Sequence, residues 1–177
     1  MASTDGKAYA SNGNAGGDVR ATNDVDGTVL FGGGGADNLR GGRYDDILDG
    51  GAGDDKYFGG DGADQFRING STVEGSSDID YLYDLDFSEG DTLVLSNFGA
   101  GSFSDVVGNV NAINGDGDAI ISSWSGLAAI VSQLGSRATL TQKGNVDVAL
   151  LTIEIGGATE TLYITGGASA LHIGTFA

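Results

Sequence analysis

Gly32 to Arg67 reads GGGGADNLR GGRYDDILD GGAGDDKYF GGDGADQFR. These are four consecutive nine-residue units, each with Asp at its sixth place (Asp37, Asp46, Asp55, Asp64) and a bulky apolar residue at its eighth (Leu39, Leu48, Tyr57, Phe66). A fixed short period is the mark of a stacked repeat, in which one unit cannot bury its apolar residue alone and neighbours must complete the core. Each unit is a Gly/Asp turn followed by a very short strand. The preceding segment NDVDGTVLF, Asn23 to Phe31, keeps the frame loosely: Leu30 stands at the eighth place, but Thr28 occupies the place of Asp. It reads as a worn first unit.

If two units make one coil of a parallel roll, residues eighteen apart stack at the strand spacing of about 4.7–4.9 Å. Asp37 then lies beside Asp55, and Asp46 beside Asp64. Carboxylates held that close repel one another unless a cation lies between them. Glycine permits backbone conformations barred to other residues, so turn carbonyls can join as oxygen ligands. Several oxygens with no nitrogen or sulfur donor suit Ca²⁺ better than Zn²⁺, and a flexible multi-oxygen loop suits it better than Mg²⁺.

The four units resemble the repeats-in-toxin (RTX) parallel β-roll of proteins exported by bacterial type I secretion. The resemblance implies an all-β fold, a parallel β-roll of nonapeptide repeats followed by a mainly β capping region with one short helix. It also implies how ligands are shared: carbonyls of the first and third places in one turn join those of the second and fourth places one coil later, with both Asp side chains. Carried over by position, one site uses Gly32, Gly34 and Asp37 with Gly51, Gly53 and Asp55. A second uses Gly41, Arg43 and Asp46 with Gly60, Gly62 and Asp64, where Arg43 offers only its backbone carbonyl. The chain departs from the pattern at Tyr44, which replaces a fourth-place Gly, and at Thr28. The stretch DIDYLYDLDFSEGDTLVLSNF is similar to the segment after the roll in serralysin-type proteases and alginate epimerases. There Asp84, Asp86 and Asp91 are either ligands that close the last sites or a solvated acidic turn.

Outside the repeats the chain divides into residues 1–22, polar and read as a linker or partial strand, the roll at 23–67, and a cap at 68–177. Within the cap, Thr92 to Leu95 reads as a strand. Ser123 to Gly135 reads as a helix, with Ser123 as N-cap, Gly135 as stop, and Trp124, Leu127, Ala128, Val131 and Leu134 on one face. Val146 to Ile155 and Glu160 to Thr165, separated by GGAT, read as a hairpin. Asn114, Asp116 and Asp118 in NGDGD form an oxygen-rich loop that is more readily a turn than a site.

Composition narrows the partners. A net charge of -17 argues against nucleic acid and against anionic membrane surfaces. No window approaches a membrane span, and MASTDGKAYASNGN lacks the basic and apolar regions of a Sec-type signal. The chain has no Cys, no Pro and one His, so neither disulfides nor thiolate sites hold it together, and neither disulfide exchange nor prolyl isomerisation delays folding. With no HExxH motif, and with His172 near the C-terminus, no catalytic residue is assigned, although an enzyme domain can precede this chain in a longer parent. The resemblance to the RTX family implies a secreted bacterial module that binds Ca²⁺, folds outside the cell and uses its C-terminal region for type I secretion machinery. At 100 times Kd, each ion adds about 2.7 kcal/mol of stability. Six of the eight basic residues precede Ile68, among them Arg40, Arg43, Lys56 and Arg67. They leave open an alternative, a Ca²⁺-assisted surface for an acidic polysaccharide. A self-associating surface-layer or adhesin fragment is a third reading.

Overall fold

The computed structural model describes residues 8–11, 17–20, 27–70, 77–98, 110–111, 119–142, 148–155 and 157–165. The sites weighed at Asn114, Asp116, Asp118 and His172 lie outside them, as does the C-terminal segment expected to carry a secretion signal.

The chain winds as a left-right alternation between two sheets. Strands β1 (Ala8–Ser11), β3 (Thr28–Gly34), β5 (Ile47–Ala52), β7 (Gln65–Asn69) and β9 (Thr92–Ser96) run parallel in the first sheet. Between them in sequence, β2 (Asp18–Arg20), β4 (Asn38–Gly42), β6 (Lys56–Gly60) and β8 (Asp78–Leu82) run parallel in the second. One coil is one strand in each sheet. The expected eighteen-residue period sets the register of the central coils, where Leu30 pairs with Leu48 and Leu39 with Tyr57.

Coils also form where that period fails. Ala8 pairs with Thr28 and Asp18 with Asn38, so two strands lie within residues 1–22, ahead of the recognisable repeats. Past Arg67, Lys56 pairs with Tyr81 and Gln65 with Thr92, so one further coil follows at a longer offset. The insertions fall in connections, where added length costs little, because closure entropy grows only with the logarithm of loop length.

The cap prolongs both sheets to seven strands. The first gains β11 (Ala119–Ile121), antiparallel to β9, and then β10 (Val110–Asn111). The second gains β14 (Ala158–Thr165), parallel to β8, then β13 (Val148–Ile155) and β12 (Ala138–Gln142). The hairpin read from sequence is β13–β14, with Leu151 opposite Leu162.

Eighth-place residues and the cap residues paired beyond them alternate between the two sheets and face one another across the interior. Leu30, Leu48, Phe66, Leu93 and Ile121 line one side; Leu39, Tyr57, Leu82 and Ile164 line the other, all buried. Burying each such side chain is worth about 1.5–3 kcal/mol.

Helix α1 (Trp124–Leu134) closes the far end of this core. It starts where the Ser123 hydroxyl accepts the Gly126 N–H at 3.1 Å and stops at Gly135 with φ 58°, both as the sequence predicts. Its buried residues are Gly126, Leu127, Ile130 and Leu134, while Trp124 and Val131 are partly covered. Ile130 therefore lies nearer the centre of the buried stripe than Ala128. Phe87 meets Trp124 edge-on at 5.1 Å and ties the acidic turn after the roll to this helix.

Candidate metal centre

Each sixth-place Asp is a joint between coils. Asp37 donates its N–H to Asp55 Oδ1 at 2.8 Å, and Asp46 donates to Asp64 Oδ1 at 2.7 Å. In the other direction, Lys56 N–H donates to the Asp37 carbonyl at 2.9 Å and Gln65 N–H to the Asp46 carbonyl at 2.8 Å. The carboxylate thus continues the sheet ladder around a turn that would otherwise leave N–H groups bare. Fifth-place acids do the same on the outside: Asp45 accepts from Ala63 N–H and Asp54 from Ile79 N–H, each at 2.9 Å.

These bonds use Oδ1. Asp55 Oδ2 and Asp64 Oδ2 are buried without a hydrogen-bond partner. Each lies over the first-place glycine of its own unit: a Cβ on Gly50 would come within 2.2 Å of Asp55 Oδ2, and one on Gly59 within 2.2 Å of Asp64 Oδ2. A buried carboxylate oxygen with no donor is a costly arrangement unless a proton or a cation meets it. Burial is the main cause that pushes both acids up to about 7, against the lowering effect of the N–H each accepts from the preceding coil.

The structure brings each predicted ligand set onto adjacent coils. Gly33 pairs with Gly51 and Gly34 with Ala52, which places Gly32, Gly34 and Asp37 beside Gly51, Gly53 and Asp55. Gly42 pairs with Gly60, which places Gly41, Arg43 and Asp46 beside Gly60, Gly62 and Asp64. Gly51 and Gly53 have φ of 97° and 112°, the alternation that turns successive peptide groups. Among the described residues, Gly42 and Tyr44 are not in that conformation. Tyr44 bears a Cβ, so the second unit has a different turn. The places spoiled there are those that would face the coil of Thr28, so both departures fall on the same potential site.

The three acids beyond the repeats have separate fates. Asp91 takes the sixth-place position of the last coil: its Oδ1 accepts Asp64 N–H at 2.8 Å and its Oδ2 accepts Asp86 N–H at 2.8 Å. Asp84 accepts from Gly59 N–H at 2.9 Å and Gly60 N–H at 3.0 Å, against the turn of the fourth unit. Asp86 closes a local turn, taking the Ser88 N–H at 2.8 Å and hydroxyl at 2.7 Å.

A fourth acid has the stronger claim. Asp80, absent from an eighteen-residue frame, accepts the Asp55 N–H at 2.9 Å and continues the column Asp37, Asp55, Asp80 at an offset of 25. The Tyr57 hydroxyl lies 3.5 Å from its Oδ2 and accepts the Gly50 N–H at 3.1 Å. The signal for Asp80 was the spacing Asp-x-apolar: Asp80-Tyr81-Leu82 repeats Asp55-Lys56-Tyr57, with its first and third residues buried.

Residues 31–66 match the family model of the RTX calcium-binding nonapeptide repeat, in four copies. The chain carries an RTX calcium-binding domain. No curated protein matches the chain. The RTX repeat family binds calcium, and the buried, oxygen-only side chains here fit that ion. Among the described residues no three acidic or histidine side chains converge as a ready-made cluster. The ligand sets implied by the resemblance do not require one, since each draws on two carboxylates and on carbonyls of two turns. RTX repeats are typical of secreted bacterial proteins. No helix among the described residues is long and apolar enough to cross a membrane.

Proposed function

We propose that this RTX domain is a Ca²⁺-driven folding module, expanded at cytosolic Ca²⁺ and compact outside the cell, that supports type I secretion of the protein that carries it. The buried Oδ2 atoms of Asp55 and Asp64, held over their turns with no donor, carry the proposal. Without a cation these groups oppose the coil stacking that buries them; with one, the same groups clamp it. At an extracellular Kd of about 10⁻⁴ M and Ca²⁺ of about 10 mM, two sites contribute about 5 kcal/mol, the scale of a modest domain's whole stability. At submicromolar Ca²⁺ that contribution vanishes. An expanded chain suits passage through a secretion channel, and the absence of Cys and Pro suits prompt folding afterwards.

The module itself is read as non-catalytic. The repeat acids Asp37, Asp46, Asp55 and Asp64 are committed to joints between coils, and none is assigned to reaction chemistry. The alternative of an acidic-polysaccharide surface gains less support: the Arg40 guanidinium lies 4.2 Å over the Phe58 ring, and Arg67 Nε donates to Gln65 at 2.7 Å. Arg40 and Arg67 are thereby engaged within the protein.

The test is far-UV circular dichroism and light scattering of the full chain in EGTA and in millimolar Ca²⁺. A several-fold gain in β signal with contraction is expected on adding Ca²⁺. The same compact particle in both buffers would sink the switch.

A further inference from the structure

The outer face of the second sheet carries a row of aromatic rings that runs from the roll into the cap. Strand register places Arg40 of β4 beside Phe58 of β6, and Tyr81 of β8 beside Tyr163 of β14. The Arg40 guanidinium covers the Phe58 ring at 4.2 Å, and Phe58 stacks on Tyr83 at 4.5 Å with the two planes 3° apart. Tyr83 lies 6.1 Å from Tyr81, and Tyr81 stacks on Tyr163 at 5.1 Å with planes 12° apart. Three of the chain's six tyrosines therefore stand together, two from the last coil of the roll and one from a strand of the cap.

Stacking accounts for the rings but not for their hydroxyls, since Phe58 stacks at the shortest distance in the row without one. A phenol adds chemistry that a phenyl ring lacks: loss of one electron and one proton leaves a tyrosyl radical. These phenols are within reach of solvent, for Tyr83 is 37% exposed and Tyr81 and Tyr163 are half-buried on an open sheet face. The other described tyrosines differ. Tyr57 is sealed in the core with its hydroxyl on the Gly50 N–H, and Tyr44, 42% exposed, stands apart on the turn of the second unit.

We infer that Tyr81 and Tyr163 are the site of an oxidative cross-link, an ortho–ortho biphenol bond that staples the cap to the last coil of the roll. The co-reactant is hydrogen peroxide acting through a one-electron oxidant of the peroxidase class. Each phenol gives up one electron and one proton, and the two radicals form one C–C bond between ring carbons ortho to the oxygens. Each of those carbons then loses its hydrogen as the phenol O–H is restored. Two C–H bonds and the peroxide O–O bond are broken in all, and two waters leave. Tyr83, the most exposed of the three, is the point of entry for the oxidant, with Tyr81 next in line. Half-buried side chains on a sheet face keep the rotamer motion that brings two stacked ring edges together. The bond joins residues 82 apart in a chain that has no Cys for a disulfide, and a link closing so long a loop constrains the unfolded chain strongly. A stapled domain keeps cap and roll together when Ca²⁺ falls.

The experiment treats the full chain, dilute and in millimolar Ca²⁺, with a peroxidase and hydrogen peroxide. Biphenol fluorescence, gel migration and mass-spectrometric mapping of linked peptides report the product. A monomeric product lighter by two hydrogens is expected, with the bond mapped between Tyr81 and Tyr163. Tyr163→Phe keeps the stacked ring and should lose this product, as should Tyr81→Phe. Tyr44→Phe removes the exposed phenol that can join two copies and should leave the intrachain bond unchanged. On transfer to EGTA, the linked chain should retain hydrogen-exchange protection in 158–165 that the unlinked chain loses. Fluorescence confined to linked dimers, or an intrachain product that survives Tyr163→Phe, would overturn the site. The staple rests on the proposed Ca²⁺-driven folding only for its timing: an equal yield of the same bond in EGTA and in Ca²⁺ would support the staple and sink the folding switch.

Discussion

The two turn columns are assembled from one nonapeptide and finish in different ways. In the column Asp46, Asp64, Asp91, the last acid has both oxygens satisfied by backbone N–H groups, from Asp64 and Asp86. In the column Asp37, Asp55, Asp80, the last acid meets the cap, where Glu160 adds a further buried carboxylate. Burial raises the end members unequally, Asp91 to about 6 and Asp80 to about 9, the latter helped by the charge of Glu160. A stack of acids can therefore end on dipoles folded back from its own loop, or it can pass its charge to the next element.

The largest effect expected from this contrast separates an interior acid from a dipole-capped one. Asp55→Asn keeps an acceptor for the Asp37 N–H but puts an amide where Oδ2 faced the turn. It should cost about 2–3 kcal/mol in urea unfolding at 10 mM Ca²⁺, the contribution of one ion. Asp91→Asn loses one backbone hydrogen bond and should cost about 1 kcal/mol. Equal losses would mean that both columns depend on cations to their ends.

Protons supply the next test, because they can stand in for the cation. Burial raises Asp55 and Asp64 to about 7 and Asp80 to about 9, so the folded chain holds protons more tightly than the unfolded chain, whose carboxyls titrate near 4. The stability so gained is complete below about pH 4 and is lost as pH rises through these folded values. In EGTA the chain should be more compact at pH 5 than at pH 8. On acidification, hydrogen exchange should slow in β6 and β8 at a higher pH than in β7 and β9. Compactness in EGTA that does not change between pH 5 and pH 8 would remove the difference between the columns.

The smallest effect concerns a hydroxyl that one column has and the other lacks. Tyr57 and Phe66 occupy the same place in successive units, but only the Tyr57 hydroxyl reaches the Gly50 N–H and Asp80. Tyr57→Phe should cost about 1 kcal/mol and leave the ion count unchanged. A loss of bound Ca²⁺ in this variant would show that the phenol orients Asp80 for the ion.

Much of the roll was legible because its physics is local and repeated. Asp-x-apolar after a glycine turn fixes which residue points inward and which acid sits at the joint, and an eighteen-residue coil fixes the partners Asp37 with Asp55 and Asp46 with Asp64. The helix caps at Ser123 and Gly135 and the β13–β14 hairpin were legible for the same reason, since each depends on neighbours in sequence. The outer coils were not. Their strands pair at offsets of 20, 25 and 27, and no constant period leads from Asp55 to Asp80 or from Asp64 to Asp91.

The sequence alone determined the repeat and its acid ladder, because glycine, aspartate and leucine at fixed places have few other uses. Only the tertiary structure decided which acids end the columns and what they meet there. Glu160 is an ordinary strand residue until β14 pairs with β8, and it becomes a buried charge beside Asp78 only through that contact. Its chemistry depends on burial and on a neighbour 82 residues away, quantities that a pattern of nine cannot carry.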